Sequence, residues 1–114
     1  MKVTTVKASQ SIINRTVNRS IKVLGDECNL NFIDTELITY MRSMFDNSEF
    51  NGDISDWDVR NVTDMMYIFR NAKFNGDISS WNVEKVTDMK YMFDGCPLEN
   101  RHKFQPKFKK GVIS

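Results

Sequence analysis

Hydrophobic and polar positions recur with a fixed period along much of this 114-residue chain. Residues 51–74 and 75–98 align without gaps, and 13 of the 24 positions are identical. Residues 27–50 align in the same phase at lower identity, with apolar residues at many of the same places. A fixed period of this length is typical of proteins built from stacked structural units. The pattern therefore predicts three 24-residue repeats, at 27–50, 51–74 and 75–98.

The first half of each repeat has the spacing of an extended segment with inward side chains. In the middle repeat these positions are Ile54, Trp57, Val59 and Val62. The preceding residues 51–53 read Asn-Gly-Asp, which is turn chemistry because Asn and Gly tolerate positive φ. The pattern predicts a turn followed by a short strand. Because Trp57 and Trp81 align with Ile33, we expect both indoles to be buried.

The second half of each repeat has helical spacing. Thr63 is a suitable N-cap, and Asp64 follows where a carboxylate favours the positive end of a helix. The next apolar residues fall at i, i+3, i+4 and i+7, the spacing of one helix face: Met65, Ile68, Phe69 and Ala72. Together the two halves predict an α/β fold, a short right-handed solenoid of three strand-turn-helix units with terminal caps.

The segments WDVRNVTDMMYIF (57–69) and WNVEKVTDMKYMF (81–93) resemble the repeats of the BspA-like leucine-rich-repeat family. The resemblance is close over residues 51–98 and loose over 27–50. It implies leucine-rich-repeat-like units that bind proteins or surfaces without catalysis. Family members are commonly surface proteins with many repeats, whereas this chain has three. Related short repeat proteins occur in phages and other mobile elements, and the resemblance favours that setting here.

Residues 1–26 and 99–114 flank the repeats and are expected to cap them within one domain, 1–114, because an unpaired terminal repeat exposes core. Ser9–Leu24 fits a helix with Ser9 as N-cap and Gly25 after its end. A pair of strands is the alternative, since the segment is rich in β-branched residues. At the other end, Phe104 and Phe108 are expected to fold back over the third repeat.

Composition narrows the function classes. No segment supplies the roughly 20 consecutive apolar residues of a membrane span, or the apolar stretch of a signal peptide. Two cysteines, Cys28 and Cys96, do not make a disulfide framework, which favours reduced thiols in the cytoplasm. We therefore expect a cytoplasmic protein that makes no contact with membranes.

Charge is sorted along the chain. Residues 1–25 hold five basic residues and no acid, residues 26–100 hold fifteen acids and six basic residues, and residues 101–114 hold five more basic residues. Positions that project from the predicted strands and vary between repeats are mostly acidic or polar. They predict a protein partner with a basic surface, or simply a solvated acidic face. These candidate contact residues are Asp34, Glu36, Asp56, Asp58, Arg60, Asn82 and Glu84.

Tyr67 and Tyr91 occupy equivalent positions beside the predicted helix face and are expected to be partly exposed, as further contact residues. The basic C-terminus suggests nucleic-acid binding as an alternative, because it mixes cations with aromatic residues. Neutralisation of the acidic repeats by the same charges would also account for the basic C-terminus. The residues concerned are Arg101, Lys103, Lys107, Lys109 and Lys110.

Metal and catalytic chemistry find little support in the sequence. With the repeats in register, Asp53 aligns with Asp77 and Asp64 with Asp88, so ladders of carboxylates could bind Ca²⁺ in a surface or adhesion repeat. Turn and N-cap chemistry explains the same residues. The chain has too few Cys and His residues for a closed zinc site, and no phosphate-binding or metalloprotease motif. We expect no metal, no cofactor and no enzymatic activity.

These observations combine into a functional hypothesis. The sequence predicts a non-catalytic protein-binding module, and the resemblance adds a small intracellular phage or mobile-element protein that inhibits a host protein. The free end of the repeat stack would also allow a homodimer. Nucleic-acid binding through the termini and calcium-dependent adhesion are the alternatives.

Overall fold

An amphipathic helix precedes the repeats in the computed structural model, which describes residues 5–112. Strand β1 (Val6–Lys7) leads into helix α1 (Ile13–Leu24), so the N-terminal cap is mainly helical. Ile13 and Val17 are buried against the core, whereas Leu24, expected on the same face, is largely exposed. Residues 1–4 and 113–114, which belong to the predicted caps, lie outside the described residues.

The ends of α1 are fixed by the backbone. Gly25 follows the helix at φ 97°, and its N–H donates to Ile21 O over 2.8 Å. This positive φ is the reason a glycine suits the position. At the start, Ile12 is the capping residue and makes no side-chain cap hydrogen bond. The expected N-cap Ser9 instead lies in a preceding turn, where its carbonyl accepts from the N–H groups of Ile12 and Ile13.

The repeats contain none of the predicted α-helices and, of the predicted strands, only a two-residue piece in the first repeat. The one strand found in the described part of the repeats is β2 (Ile33–Asp34), which pairs in parallel with β1, Val6 opposite Ile33. Isolated parallel bridges join Tyr40 to Asp64 and Asp64 to Asp88. The remainder of the repeats consists of turns and irregular backbone. The prediction of an α/β fold, a right-handed solenoid of three strand-turn-helix units, is therefore wrong.

The predicted helix fails because its backbone N–H groups are used differently. Met65, Tyr67, Phe69 and Asn71 donate to carbonyls of the next repeat, while Ile68, Arg70 and Ala72 donate to carbonyls three residues earlier. A helix would need donation to the carbonyl four residues earlier. Positive φ values at equivalent positions also exclude a helix, since a right-handed helix requires negative φ. These positions are Ser43, Asn47, Tyr67, Asn71, Tyr91 and Gly95.

The predicted strand fails in a similar way. Trp57 N–H donates to Ile54 O, and Val62 N–H donates to Val59 O, so short turns replace a continuous extended segment. The side chains nevertheless point inward, and Ile54, Trp57, Val59 and Val62 are all buried. Strict alternation would place inward residues two apart, but these four are spaced three, two and three apart. The apolar pattern marks the core without indicating a strand.

Equivalent residues of the three repeats lie directly against one another. Phe69 stacks between Phe45 and Phe93, with ring centroids 5.5 and 6.0 Å apart. The indoles of Trp57 and Trp81 are parallel within 7° at 6.5 Å. Both tryptophans are only 4% exposed, which confirms that they belong to the core. Packing and hydrogen bonding between residues 24 apart therefore hold the repeats in register.

The C-terminal residues close one part of the third repeat. Two short 3-10 helices lie at the end of this repeat and just after it, at Pro97–Asn100 and His102–Phe104. Phe104 O accepts a hydrogen bond from Ile78 N–H over 3.0 Å. Phe104 and Phe108 are partly buried against the core. Within residues 5–112, no helix combines the length and apolar character needed to cross a membrane.

Candidate interaction surface

The predicted acidic face lies at one side of the repeats, close to β1. Lys7 Nζ lies 3.9 Å from Asp34 and 3.7 Å from Glu36. Arg60 lies 3.3 Å from Glu36 and 3.4 Å from Asp58. These five charged side chains form one partly exposed network, and all of them except Lys7 are predicted contact residues. Two cations offset three carboxylates here, which weakens the case for a strongly acidic docking face.

Several polar residues of this face also shape the backbone. Asp34 and Asp58 each accept a hydrogen bond from the N–H two residues later, and Asn82 does the same for Glu84. These are turn-forming contacts of short polar side chains. The backbone N–H of Asp56 donates to Asn31 Oδ1. The side chains of Asp34, Asp58 and Asn82 thus serve local turns, and Glu84 projects into solvent.

Two tyrosines form a ridge on another side of the repeats. The rings of Tyr67 and Tyr91 are parallel within 1°, with centroids 5.6 Å apart, and we call this pair the tyrosine ridge. Tyr67 is partly exposed and Tyr91 is 49% exposed. Both residues have positive φ, 60° and 55°. Positive φ is uncommon for any residue other than glycine and is an outlier for a bulky one.

Arg70 joins the ridge to the first repeat. Its guanidinium carbon lies 4.2 Å from the centroid of the Tyr67 ring, and its Nη2 lies 2.6 Å from Asp46 Oδ2. The hydrogen bond to Asp46 raises the pKa of Arg70 above its ordinary value. Arg42 makes a matching contact with Asp64, again at 2.6 Å. Charge-assisted pairs of this geometry orient the side chains of adjacent repeats.

Arg70 and Asp46 are not among the contact residues predicted from the sequence. The sequence does contain a sign of their contact, because residues 46, 70 and 94 are equivalent and read Asp, Arg, Asp. Alternation of opposite charges at one repeat position indicates contact between neighbouring repeats.

The second half of the third repeat contains a row of four backbone N–H groups at the donor positions of the earlier repeats. They belong to Met89, Tyr91, Phe93 and Gly95, the equivalents of the donors that join the earlier repeats. None of these four groups has a hydrogen-bond acceptor among residues 5–112. We call this row the open edge. It runs past the exposed end of the tyrosine ridge, because Tyr91 belongs to both.

The basic C-terminal residues lie apart from the acidic network. Arg101 donates to Asn75 Oδ1 over 2.8 Å and lies 4.1 Å from the centroid of the Phe104 ring. The other four cations are exposed, and none of the five forms an ion pair with any described residue. Lys7 from the N-terminal segment supplies neutralising charge instead. The four exposed C-terminal cations other than Arg101 are Lys103, Lys107, Lys109 and Lys110.

The aligned aspartates act in turns. Asp53 accepts hydrogen bonds from the backbone and hydroxyl of Ser55, and Asp77 does so from Ser79. These contacts lower the pKa of both carboxyl groups below the ordinary value. In the part of the chain that the structure covers, no three Asp, Glu, His or Cys side chains are grouped to hold a metal ion.

Both cysteines are free thiols. Cys96 is buried, and its Sγ lies 3.1 Å from Phe74 O. Burial raises the pKa of this thiol, and desolvation also raises the pKa of Cys28, which is partly exposed. Raised thiol pKa values disfavour the thiolate that nucleophilic chemistry requires. Cys96 thus serves packing, and it occupies the position equivalent to the buried Ala72 of the preceding repeat.

Comparison with known proteins places this architecture in a family. Residues 13–109 match the family model described as "Mycoplasma protein of unknown function, DUF285". The matched region includes helix α1, all three repeats and most of the C-terminal segment. No curated protein and no solved structure matches the chain. Because the match extends over most of its length, the chain belongs to the DUF285 family of Mycoplasma repeat proteins.

Proposed function

We propose that this protein is a non-catalytic binding module that contacts another protein through the tyrosine ridge, Tyr67 and Tyr91. The proposal includes the relationship to BspA-like repeat proteins that the sequence motifs suggest. One observation carries it: two bulky aromatic residues occupy left-handed backbone positions on an exposed side of the repeats. The cytoplasmic location, the mobile-element origin and the inhibition of a host protein stay predictions from the sequence.

The left-handed backbone at positions 67 and 91 does not favour tyrosine. Left-handed backbone costs an L-residue about 1–2 kcal/mol, and Asn and Gly are the residues that adopt it most readily. The second left-handed position of each repeat follows this preference, with Asn47, Asn71 and Gly95. Unfavourable backbone conformations that persist motivate a search for function. Tyr67 and Tyr91 therefore need an explanation beyond backbone geometry.

Binding supplies such an explanation. Tyrosine is enriched in protein interfaces because its ring offers a large, rigid contact area and its hydroxyl a polar tip. Here the rings are held parallel, and Arg70 lies against one of them. Preorganised aromatic side chains lose little conformational entropy on association. The tyrosine ridge supports protein contact better than the acidic network, whose charges are already partly paired.

Replacement of the tyrosines by asparagine tests this function, because asparagine suits the left-handed backbone and removes the ring. The immobilised full chain and its Tyr67→Asn/Tyr91→Asn variant would be exposed to a lysate of the source organism. We expect a stoichiometric partner on the parent chain and its loss on the double variant. Ser43→Asn, at the equivalent position of the first repeat, is the matched control and should retain the partner. Equal capture by a folded double variant would contradict the proposal.

Nucleic-acid binding remains a second candidate because four exposed lysines near the C-terminus lack ion-pair partners among the described residues. A gel shift with single-stranded DNA at two salt concentrations tests it. Binding should weaken steeply with salt, and Lys107→Ala/Lys109→Ala/Lys110→Ala should weaken the complex and flatten the salt dependence. A shift that is unaffected by this triple substitution would eliminate the candidate.

A further inference from the structure

The joints between repeats show what a row of outward N–H groups binds in this protein. Between the first and second repeats, Met41, Ser43, Phe45 and Asn47 donate to the carbonyls of residues 64, 66, 68 and 70 over 2.8–3.0 Å. The segment seated on this row therefore presents the carbonyls of alternate residues on one side. The second and third repeats are joined in the same way, through residues 65–71 and 88–94.

A charge pair accompanies the backbone contacts of the first joint. Asp46, on the repeat that supplies the N–H groups, receives the guanidinium of Arg70 from the repeat that supplies the carbonyls. The two Arg70–Asp46 contacts are 3.1 and 2.6 Å long. An occupant of such a row is thus held by its backbone and by one basic side chain.

The open edge repeats both features without an occupant from the described residues. Its four N–H groups, from Met89, Tyr91, Phe93 and Gly95, lack acceptors there. Asp94 is the equivalent of Asp46, is exposed, and forms no ion pair within residues 5–112. The exposed Tyr91 ring lies three residues before this carboxylate, and Lys90 Nζ, 5.5 Å from the ring centroid, shows that a cation can rest against it.

The C-terminal segment defines where the open edge begins. Phe104 O accepts the Ile78 N–H, so this segment takes the position of a following repeat for the first half of repeat three. No comparable contact with the described C-terminal residues reaches the N–H groups of Met89 to Gly95. The open edge is therefore about seven residues long, a length suited to a short segment of another chain.

We propose that the open edge docks an extended segment of a partner protein that carries an arginine or lysine for Asp94. The partner's alternate carbonyls accept from Met89, Tyr91, Phe93 and Gly95, as residues 64–70 accept from the first repeat. This proposal rests on the proposed binding function and specifies where the partner adds and which charge it carries. The backbone contacts supply affinity, and the pairing with Asp94 selects a basic segment.

The chain supplies its own probe for this site. A synthetic peptide of residues 63–74, TDMMYIFRNAKF, has the sequence that occupies the equivalent row on repeat one. Titrated into the full-length protein, it should shift the NMR amide signals of residues 89–95 and leave those of α1 unchanged. A peptide with glutamate in place of the arginine should bind about fivefold more weakly, since an exposed charge pair contributes up to about 1 kcal/mol.

Charge reversal provides the decisive control. Asp94→Arg should weaken binding of the parent peptide about fivefold and restore binding of the glutamate peptide. Asp26→Arg, which reverses an exposed acid outside the open edge, should leave both affinities unchanged. Absence of binding up to about 1 mM peptide, or shifts that do not include residues 89–95, would overturn the proposal.

Two further outcomes separate this proposal from others. If sedimentation shows self-association that Asp94→Arg abolishes while the peptide does not bind, the occupant is a second copy and the partner-segment proposal is wrong. If a captured partner is lost with Tyr67→Asn/Tyr91→Asn but is indifferent to Asp94→Arg, the binding function stands and the open edge is not its site.

Discussion

Trp57 Nε1 donates a hydrogen bond to Leu30 O over 2.9 Å, which ties the indole of the second repeat to the backbone of the first. Trp81 makes the same contact with Ile54 O at 3.0 Å. Each acceptor also receives a backbone N–H, from Ile33 and Trp57 respectively. The indoles thus combine core packing with a directed link between repeats.

Trp57→Phe should therefore lower the free energy of unfolding by about 1–2 kcal/mol. The substitution removes one buried hydrogen bond and leaves a small cavity, while Leu30 O keeps its bond from Ile33. Urea unfolding followed by circular dichroism measures the loss. Tyr40→Phe, at an exposed tyrosine, is the control and should change stability by less than about 0.5 kcal/mol. An equal effect of the two substitutions would contradict this account.

Gly52 and Gly76 occupy equivalent positions but should respond differently to alanine. A Cβ on Gly52 would lie 1.8 Å from Cys28 O, a backbone atom fixed by its bond from Asp53 N–H. A Cβ on Gly76 would first meet the Phe74 ring, at 2.8 Å, and its nearest backbone contact would be at 3.5 Å.

Because a ring can shift more easily than a backbone carbonyl, Gly52→Ala should destabilise by about 3 kcal/mol or more, and Gly76→Ala by about 1 kcal/mol. Thermal unfolding of the two variants side by side measures the difference. A larger loss of stability in Gly76→Ala than in Gly52→Ala would contradict the prediction.

Ser43→Asn should stabilise the protein by about 0.5–1 kcal/mol. Ser43 has φ 60° and is exposed, and asparagine adopts left-handed backbone more readily than serine. Denaturant unfolding of the variant, compared with Ser43→Ala, measures the effect. The alanine variant should be no more stable than the parent chain, since alanine gains nothing at positive φ.

Asp53 and Asp77 should make stability sensitive to acid. Hydrogen bonds from the backbone and hydroxyl of Ser55 lower the native pKa of Asp53, and those from the hydroxyl and backbone of Ser79 lower that of Asp77. Because the native pKa is below the unfolded value of about 3.9, these groups contribute stability above about pH 4. That contribution is lost as the pH falls through the lowered native pKa.

Asp53→Asn/Asp77→Asn should accordingly show a smaller fall in melting temperature between about pH 5 and pH 2 than the parent chain. Melting curves across this range, with a matched Asp26→Asn control, provide the measurement. Asp26 has no comparable contact with a following serine. Parallel pH profiles of all three proteins would refute the assignment.

The apolar pattern of the sequence was sufficient to identify most of the core. Ile54, Trp57, Met65 and Phe69 are buried because repeats in register bring apolar positions together, whatever the local backbone does. The helix was mispredicted because i, i+3, i+4 and i+7 spacing also arises from consecutive turns. Only the backbone conformation of residues such as Tyr67, with its positive φ, distinguishes the two.

The candidate site was predicted in part. Tyr67 and Tyr91 were identified from their position beside the apolar stripe, and both are accessible. The ion pairs of Glu36 with Arg60 and with Lys7 depend on how segments of the chain that are 24 or more residues apart pack together. Unpaired backbone N–H groups have no sequence signature, so the open edge could be found only from the hydrogen bonds themselves.

The one-sided bonding of each repeat implies that the protein loosens from one end. The N–H groups of Phe45 and Phe69 are each covered by the following repeat, whereas that of Phe93 has no acceptor in the described chain. Deuterium should therefore replace the Phe93 amide proton first and the Phe45 proton last. Local stability would then decrease along the repeats, from the end beside helix α1 to the end where a partner would add.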